Sequence, residues 1–226
     1  MLVDQGAHLD RDVLMSNPDV AYVARFQQRQ GMVVGRNASK LITIYGVDAV
    51  SEPSVSVISS HMVDGEMTVL TPGSNAVVIG QTLGYQLGLR VGDELAIVLP
   101  KPNASGRSVK PVLAKVTVEG FFELESELDY SLILISLEDL QGISGDNRAG
   151  FRIKLHDIFA ADSYVLAILE QYGQQVETSS WTEQYGDFFE TVKMEKVMMF
   201  VLLSFVVMIA AFNIVSGLSM MVKDKA

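Results

Sequence analysis

Between Val197 and Val222 the chain reads VMMFVLLSFVVMIAAFNIVSGLSMMV, about 26 residues without a charge. Lys193, Glu195 and Lys196 stand before the run, and Lys223, Asp224 and Lys225 follow it. At 1.5 Å of rise per residue the run makes roughly 39 Å of helix, more than the ~30 Å hydrocarbon core of a bilayer. Buried helices of soluble domains rarely stay uncharged over such a length, so residues 197–222 are expected to span a membrane. Everything before them is then an extramembrane domain. Within the run Asn213 is the one strongly polar side chain, with Ser216 and Gly217 close by. An amide is costly in hydrocarbon without a partner, and small residues let helix backbones approach one another. Asn213, Ser216 and Gly217 are therefore expected to pack against other membrane helices.

The rest of the composition narrows the function by exclusion. The formal net charge is −10. That argues against nucleic acid, which needs clustered Lys and Arg, and against a face lying flat on anionic lipid. The chain has no cysteine, which removes disulfide scaffolds and thiolate metal sites. The first 20 residues, MLVDQGAHLDRDVLMSNPDV, lack the basic and apolar regions of a signal peptide. Lysines flank the apolar run evenly, two on each side, so the positive-inside rule does not orient it. Either the domain is cytoplasmic, or a membrane segment outside this chain carries it across.

Val20–Val34 and Leu41–Val47 are β-rich and separated by Gly35-Arg36-Asn37, which predicts a hairpin. A short helix is expected around Val55–Val63. Asn75–Gly80 reads as a strand, Gln81–Leu87 as a helix closed by Gly88, and Val91–Leu99 as a turn and strand. Pro100–Pro111, with three prolines and a glycine, reads as a loop. Leu113–Leu124 and Ser131–Ile135 are two more strands, joined through an acidic segment. Phe151–His156 alternates as a half-buried strand. Asp157 should cap a helix with Ile158, Val165, Leu166, Ile168 and Leu169 on its apolar face, ended by Gly173. Gln175–Thr178 is a last strand. The fold class expected is α+β. Residues 1–64 and 148–181 form a discontinuous α/β lobe, and residues 65–147 an inserted β-rich lobe. Residues 182–196 form an amphipathic stalk helix that runs on, without a break, into the membrane helix 197–222 and a short end at 223–226.

No catalytic constellation is present. The sequence has no phosphate loop, no dinucleotide fingerprint, no HExxH and no nucleophile elbow. His8, His61 and His156 are scattered with no other ligand at metal spacing. Gly80, Gly84 and Gly88 repeat every four residues and are read as a strand end, a small-residue contact and a helix cap. Glu123, Glu125, Glu127 and Asp129 are read as a solvated connection rather than as an acid/base pair or a cation site. No catalytic residue, metal site or cofactor is expected.

Three stretches resemble the permease subunits of the lipoprotein-releasing ABC transporter, the LolC/LolE family, itself related to MacB-type transporters. The longest runs from Trp181-Thr182-Glu183-Gln184-Tyr185-Gly186-Asp187-Phe188-Phe189 through Lys193–Phe200 to Ala210–Ser216, similar to the family's passage from periplasmic domain into membrane helix. Leu87-Gly88-Leu89-Arg90-Val91-Gly92-Asp93 is similar to a turn of those domains. Ile42-Thr43-Ile44-Tyr45-Gly46-Val47-Asp48 resembles a recurrent strand end, with Ala49 where proline is usual. Glu127–Ser131, Lys154–Phe159 and Val222–Lys225 sit nearer LolE than LolC. The resemblance implies a MacB-like periplasmic domain of two lobes and a place in the bacterial inner membrane. It also implies a non-catalytic role, with ATP hydrolysed by a separate subunit. Partners would be that ATPase, a second permease subunit, a lipoprotein substrate and the periplasmic lipoprotein carrier. Pro100–Pro111 aligns with the hook by which LolC meets the carrier and is shorter. Met194, Met198, Met199 and Phe200 would offer flexible apolar surface to acyl chains, or serve as ordinary helix and lipid contacts. The other spans of such a permease lie outside this chain, which reads as a fragment. The alternative is a MacB- or FtsX-like subunit that transmits movement to a periplasmic protein and moves no lipid.

Overall fold

The computed structural model describes residues 2–4, 10–35, 39–102, 109–173, 176–184 and 186–223. The chain divides into two units, residues 1–179 and 180–226. In the first, β1 (Leu2–Asp4) and α1 (Arg11–Met15) precede the long hairpin β2 (Val20–Val34) and β3 (Ser39–Val47). Then come α2 (Glu52–Val55), a 3-10 turn at Ile58–His61 and β4 (Met62–Asp64). β5 (Ala76–Gly80) leads into α3 (Gln81–Leu87), and β6 (Glu94–Pro102) pairs with β7 (Val109–Phe122). β8 (Leu132–Ser136), α4 (Leu137–Ser144), β9 (Gly150–Leu155), α5 (Ala161–Tyr172) and β10 (Val176–Thr178) complete it.

Six of these strands close on themselves. β2 pairs with β3, β3 with β8, β8 with β5, β5 with β7, β7 with β6, and β6 returns to β2 through Met32↔Val98, Val33↔Ile97 and Val34↔Ala96. The barrel has an internal two-fold pattern. Each half is a hairpin followed by a strand and a helix: β2–β3 with β5–α3, and β6–β7 with β8–α4. The halves exchange their third strands, because β5 lies parallel to β7 and β8 parallel to β3. Both helices end in a left-handed glycine, Gly88 and Gly145.

The runs Ala76–Gly80 and Leu132–Ser136 are buried throughout because both faces of each strand are covered. Val77, Ile79, Ile133 and Ile135 fill the barrel with Val33, Ile42, Ile97 and Val116. On the other face, Val78, Leu132 and Leu134 pack with Ile58, Met67 and Leu70 from the segment that follows β3. A third core lies apart. Leu14, Val20, Val23, Phe151, Tyr164, Ile168 and Val176 join the start of β2 to α1, β9, α5 and β10. These elements, here termed the α/β lobe, have their own core, and the changeover to the barrel falls within β2, inside the 1–64 segment expected to lie wholly in that lobe.

Several elements differ from expectation. The 55–63 helix is α2 and a 3-10 turn separated by Ser56 and Val57, since Ser56 is extended. Most of the described part of the 100–111 loop is ladder: Pro100 stands opposite Pro111 and Lys101 opposite Lys110. Its tip, residues 103–108, and the hairpin turn at 36–38 lie outside the described residues. On α5 the buried residues are Ala161, Tyr164 and Ile168, whereas Ile158 and Leu166 are about 60% exposed (60% and 62%). The core face is set by the i, i+3, i+7 positions that meet β9 and β10, and Val165 and Leu169 flank it. β1, α1, β4 and α4 have no counterpart among the expected elements, being short and without strong periodicity.

In the second unit α6 (Trp181–Gln184) and α7 (Gly186–Lys223) are described separately, with Tyr185 outside the described residues. From Gly186 onward the helix is unbroken for 38 residues.

Candidate functional surfaces

Glu190–Gly217 of α7 is long and apolar enough to cross a membrane, and none of its most apolar stretch is buried. Met194, Met198, Met199 and Phe200 are all more than half exposed (62%, 59%, 64% and 71%). At about 100° per residue, Met194 and Met198 form one stripe, while Met199 and Phe200 turn progressively away. The four therefore wrap the helix rather than share a face. Asn213, Ser216 and Gly217 stand at i, i+3 and i+4 and do share one, all exposed. A Cβ on Gly217 would meet nothing within 4 Å, so that face is open to a neighbour. Ser204 points elsewhere and donates to the Phe200 carbonyl at 2.8 Å, which satisfies its hydroxyl inside the helix.

In the domain, the acidic connection has an architectural part. Asp129 is 2% exposed. Its carboxylate accepts from the Leu124 and Ser126 N–H groups at 2.9 and 3.1 Å, closing a capping box with Ser126. Glu123, Glu125 and Glu127 face solvent. Gly80 presses on the Asp129 backbone, where a Cβ would stand 2.4 Å from its carbonyl oxygen, and a Cβ on Gly84 would stand 2.3 Å from Phe121. The Gly80, Gly84 and Gly88 repeat is thus a strand end, a close contact and a cap. Among the described residues no three carboxylates or histidines gather as a metal site. The His61 ring meets the Val57 carbonyl within its own turn at 2.9 Å, His156 is exposed, and His8 lies outside the described residues.

Two charged clusters were missed in the sequence because their members are far apart in the chain. Asp146 receives Arg29 and, at 2.9 Å, Arg148. Hydrogen bonds from Arg148, aided by the charges of Arg29 and Arg148, hold its carboxyl down to about 2 against the cost of partial burial. Gln27, 3% exposed, donates to the carbonyls of Asp146 and Arg148 at 3.0 and 2.9 Å. On the other face of β2, fully buried Glu52 accepts from Arg152 Nη1 at 2.5 Å. Burial pushes the Glu52 carboxyl up, and the Arg152 charge opposes the shift. Lys101 lies across the end of α4, where a Cβ on Gly145 would fall 2.4 Å from its Nζ.

An apolar groove of about 350 Å³ runs over the outside of the β2–β6 closure, lined by Gly31, Met32, Leu41, Val98, Pro100 and Pro111. It sits at the base of the β6–β7 hairpin. Among the described residues that line it, Gln30 is the one polar side chain.

No protein-family profile matches the chain. It is 30% identical to the lipoprotein-releasing system transmembrane protein LolC of Xylella fastidiosa over 213 residues, 93% of this chain and 51% of that protein. It is 26% identical to LolE of Haemophilus influenzae over 215 residues, 94% of this chain and 51% of that protein. The chain thus spans about half the length of the curated relatives it matches. Among solved structures it is similar to the extracellular domain of the noncanonic ABC-type transporter YknZ, with a TM-score of 0.50 and 14% identity, covering 75% of this chain and 87% of that one. The periplasmic region of MacB from Actinobacillus actinomycetemcomitans is also similar, with a TM-score of 0.49 and 12% identity over 80% of each chain. The α+β domain shares the fold of the YknZ extracellular domain, and the LolC and LolE matches run on from it into the membrane-length helix. With its domain and helix in that order, the chain is similar to the LolC and LolE lipoprotein-releasing system transmembrane proteins over about half of their length.

Proposed function

We propose that this chain serves in a permease subunit of an ABC transporter that releases lipoproteins from the bacterial inner membrane for transfer to the outer membrane. Its domain would stand in the periplasm, and α7 would pass through the bilayer. The observation that carries the reading is the LolC similarity over 213 residues, which includes both the domain and the 28-residue membrane-length segment. The chain itself has no catalytic part in this scheme. A separate ATPase subunit supplies the energy, and a second permease subunit packs against the Asn213, Ser216 and Gly217 face. Met194 and Met198 offer a soft stripe to acyl chains of the lipoprotein, with Met199 and Phe200 extending the apolar surface around the helix. The periplasmic lipoprotein carrier is a further partner on this reading. Relatives named LolC and LolE both match, at 30% and 26% identity, so either subunit role fits.

A photoreactive residue at Met198 in membranes holding the assembled transporter tests this directly. Lipoprotein is expected in the crosslinked product. Capture by Val201 or Phe205 but never by Met198, Met199 or Phe200 would displace the proposed face, and no lipoprotein at any position would favour a second reading. That reading is a subunit that transmits movement to a periplasmic protein, and the likeness of the domain to YknZ favours it.

A further inference from the structure

The α/β lobe and the barrel share one strand, and they share it narrowly. Along one edge of β2, residues 20–26 pair with β9; along the other, residues 26–34 pair with β3. The two ladders overlap at a single residue, Phe26, which stands opposite Gly150 of β9 and Val47 of β3. Around Phe26 the strand is supported on one edge before the residue and on the other after it, and a sheet so supported bends easily there, because the flanking strands are free to twist about the shared one. This is where a hinge would form unless something braced it.

Braces stand on both faces at that residue. On one face Gln27 and Arg29 hold the 145–149 connection through the carbonyls of Asp146 and Arg148 and the Asp146 carboxylate. On the other face Arg152 of β9 reaches out of the α/β lobe. Its neighbours Phe151, Ile153 and Leu155 pack inward on the lobe's own core, so Arg152 and Lys154 point the opposite way. The Arg152 guanidinium lies 3.9 Å from the Phe26 ring centroid and 5.1 Å from that of Tyr45 on β3. Those two rings meet edge to face at 4.8 Å. The guanidinium then closes on Glu52 of α2, 0% exposed, at 2.5 Å. Lys154 adds a 3.4 Å bond to the Ser54 carbonyl of the same helix. A planar cation can stack on rings and bond a carboxylate at once, whereas an ammonium cannot.

We propose that Glu52 and Arg152, clamped over Phe26, fix the angle between the α/β lobe and the barrel. Arg152 is a positioning residue. Without it the lobes swing about Phe26, and movement given to the α/β lobe is no longer passed to the barrel in register. The inference depends only on the fold of residues 1–179, so it stands or falls independently of the transporter reading.

The chain has no cysteine, so spin labels can be placed without altering its background. Tyr85 on α3 is 88% exposed and Leu166 on α5 is 62% exposed, which gives one label site on each side of the junction. Distances are read by double electron–electron resonance on the full chain in lipid nanodiscs. A second label pair, Tyr85 with Leu113 of β7, reports on the barrel alone. The unsubstituted clamp should give a single narrow distance across the lobes. Arg152→Met should broaden that distribution at least two-fold and leave the barrel pair unchanged, and Arg152→Lys should restore it only in part. Glu52→Leu/Arg152→Leu leaves no buried charge unpaired, so it carries the test if Arg152→Met fails to fold. A broad inter-lobe distribution with an intact barrel pair in that variant supports the clamp. A narrow one in either variant, at the native distance, overturns it.

Discussion

Gly31→Ala tests whether the barrel is closed. Gly31 lies on β2 just before the three residue pairs that return the sheet from β6 to β2. A Cβ there would stand 2.8 Å from the Val98 carbonyl oxygen, 2.9 Å from Leu99 Cδ2 and 3.2 Å from Ile44 Cδ1. The two side-chain atoms can move aside by rotation. The carbonyl oxygen cannot, because it belongs to the backbone of the closing strand, so relief must come from moving β6 away from β2. Inserting one methyl into a packed core costs about 1–3 kcal/mol, and the backbone contact places this case at the upper end, about 2–3 kcal/mol. For a domain of 179 residues this lowers the melting temperature by about 5–10 °C. Gly142→Ala is the matched control. It makes the same chemical change inside α4, where a Cβ meets nothing within 4 Å, and it should stabilise by about 0.5–1 kcal/mol through helix propensity. Both are measured by thermal unfolding of the full chain in detergent, with amide exchange on residues 94–102 reporting on the closure. Gly31→Ala should speed exchange there before it affects the β5–β8 pair. If Gly31→Ala melts with the parent chain and leaves that exchange unchanged, the β2–β6 closure is not a packed contact and the barrel is an open sheet.

Other consequences can be checked with single substitutions. Asp146 has a depressed carboxyl, so its ion pairs contribute stability above the ordinary carboxylate range that is lost as pH falls from about 4 towards about 2. Asp146→Asn should remove about 2 kcal/mol near neutrality and flatten that part of the acid-unfolding profile. Asp129→Ala strips the acceptors from the Leu124 and Ser126 N–H groups and should cost about 2–4 kcal/mol in denaturant unfolding, because both are left unbonded. Asn213→Leu should leave the domain's melting unchanged but weaken association with neighbouring membrane helices by about 1 kcal/mol, read by co-purification in mild detergent. Equal recovery of partners would remove Asn213 from the packing face.

The elements that were legible in the sequence are those with a strong local signal. The 20–47 hairpin, the Ala76–Gly80 strand with its glycine-ended helix, the alternating β9 and the uncharged α7 all follow from period, caps and turns. What closes the barrel is invisible at that level. β8 and β3 are neighbours although Thr43 and Leu132 stand 89 positions apart, and nothing local in either strand names its partner. The apolar face of α5 was misplaced for a related reason. Ile158 and Leu166 are more apolar than Ala161 and Tyr164, yet the position of β9 decides which side is covered. Asp129 looked like one more solvated carboxylate because its backbone partners leave no mark in the sequence. The Glu52–Arg152 pair spans a hundred residues and could be found only once the sheet had brought β9 beside α2.

The exchange of third strands between the barrel halves sets a timetable for folding. β5 finds its parallel partner only when β7 has been made, and β3 waits for β8, so no half of the barrel can finish while the next is still being synthesised. The ends wait longer still: Leu2 pairs with Thr178. Contacts of such long range are slow to form, and they leave apolar strand edges unpaired meanwhile. Residues up to Leu140 must therefore be delivered before the barrel cores are complete, and up to Val176 before the third, which makes the domain dependent on protection during synthesis and sensitive to interruption along its length.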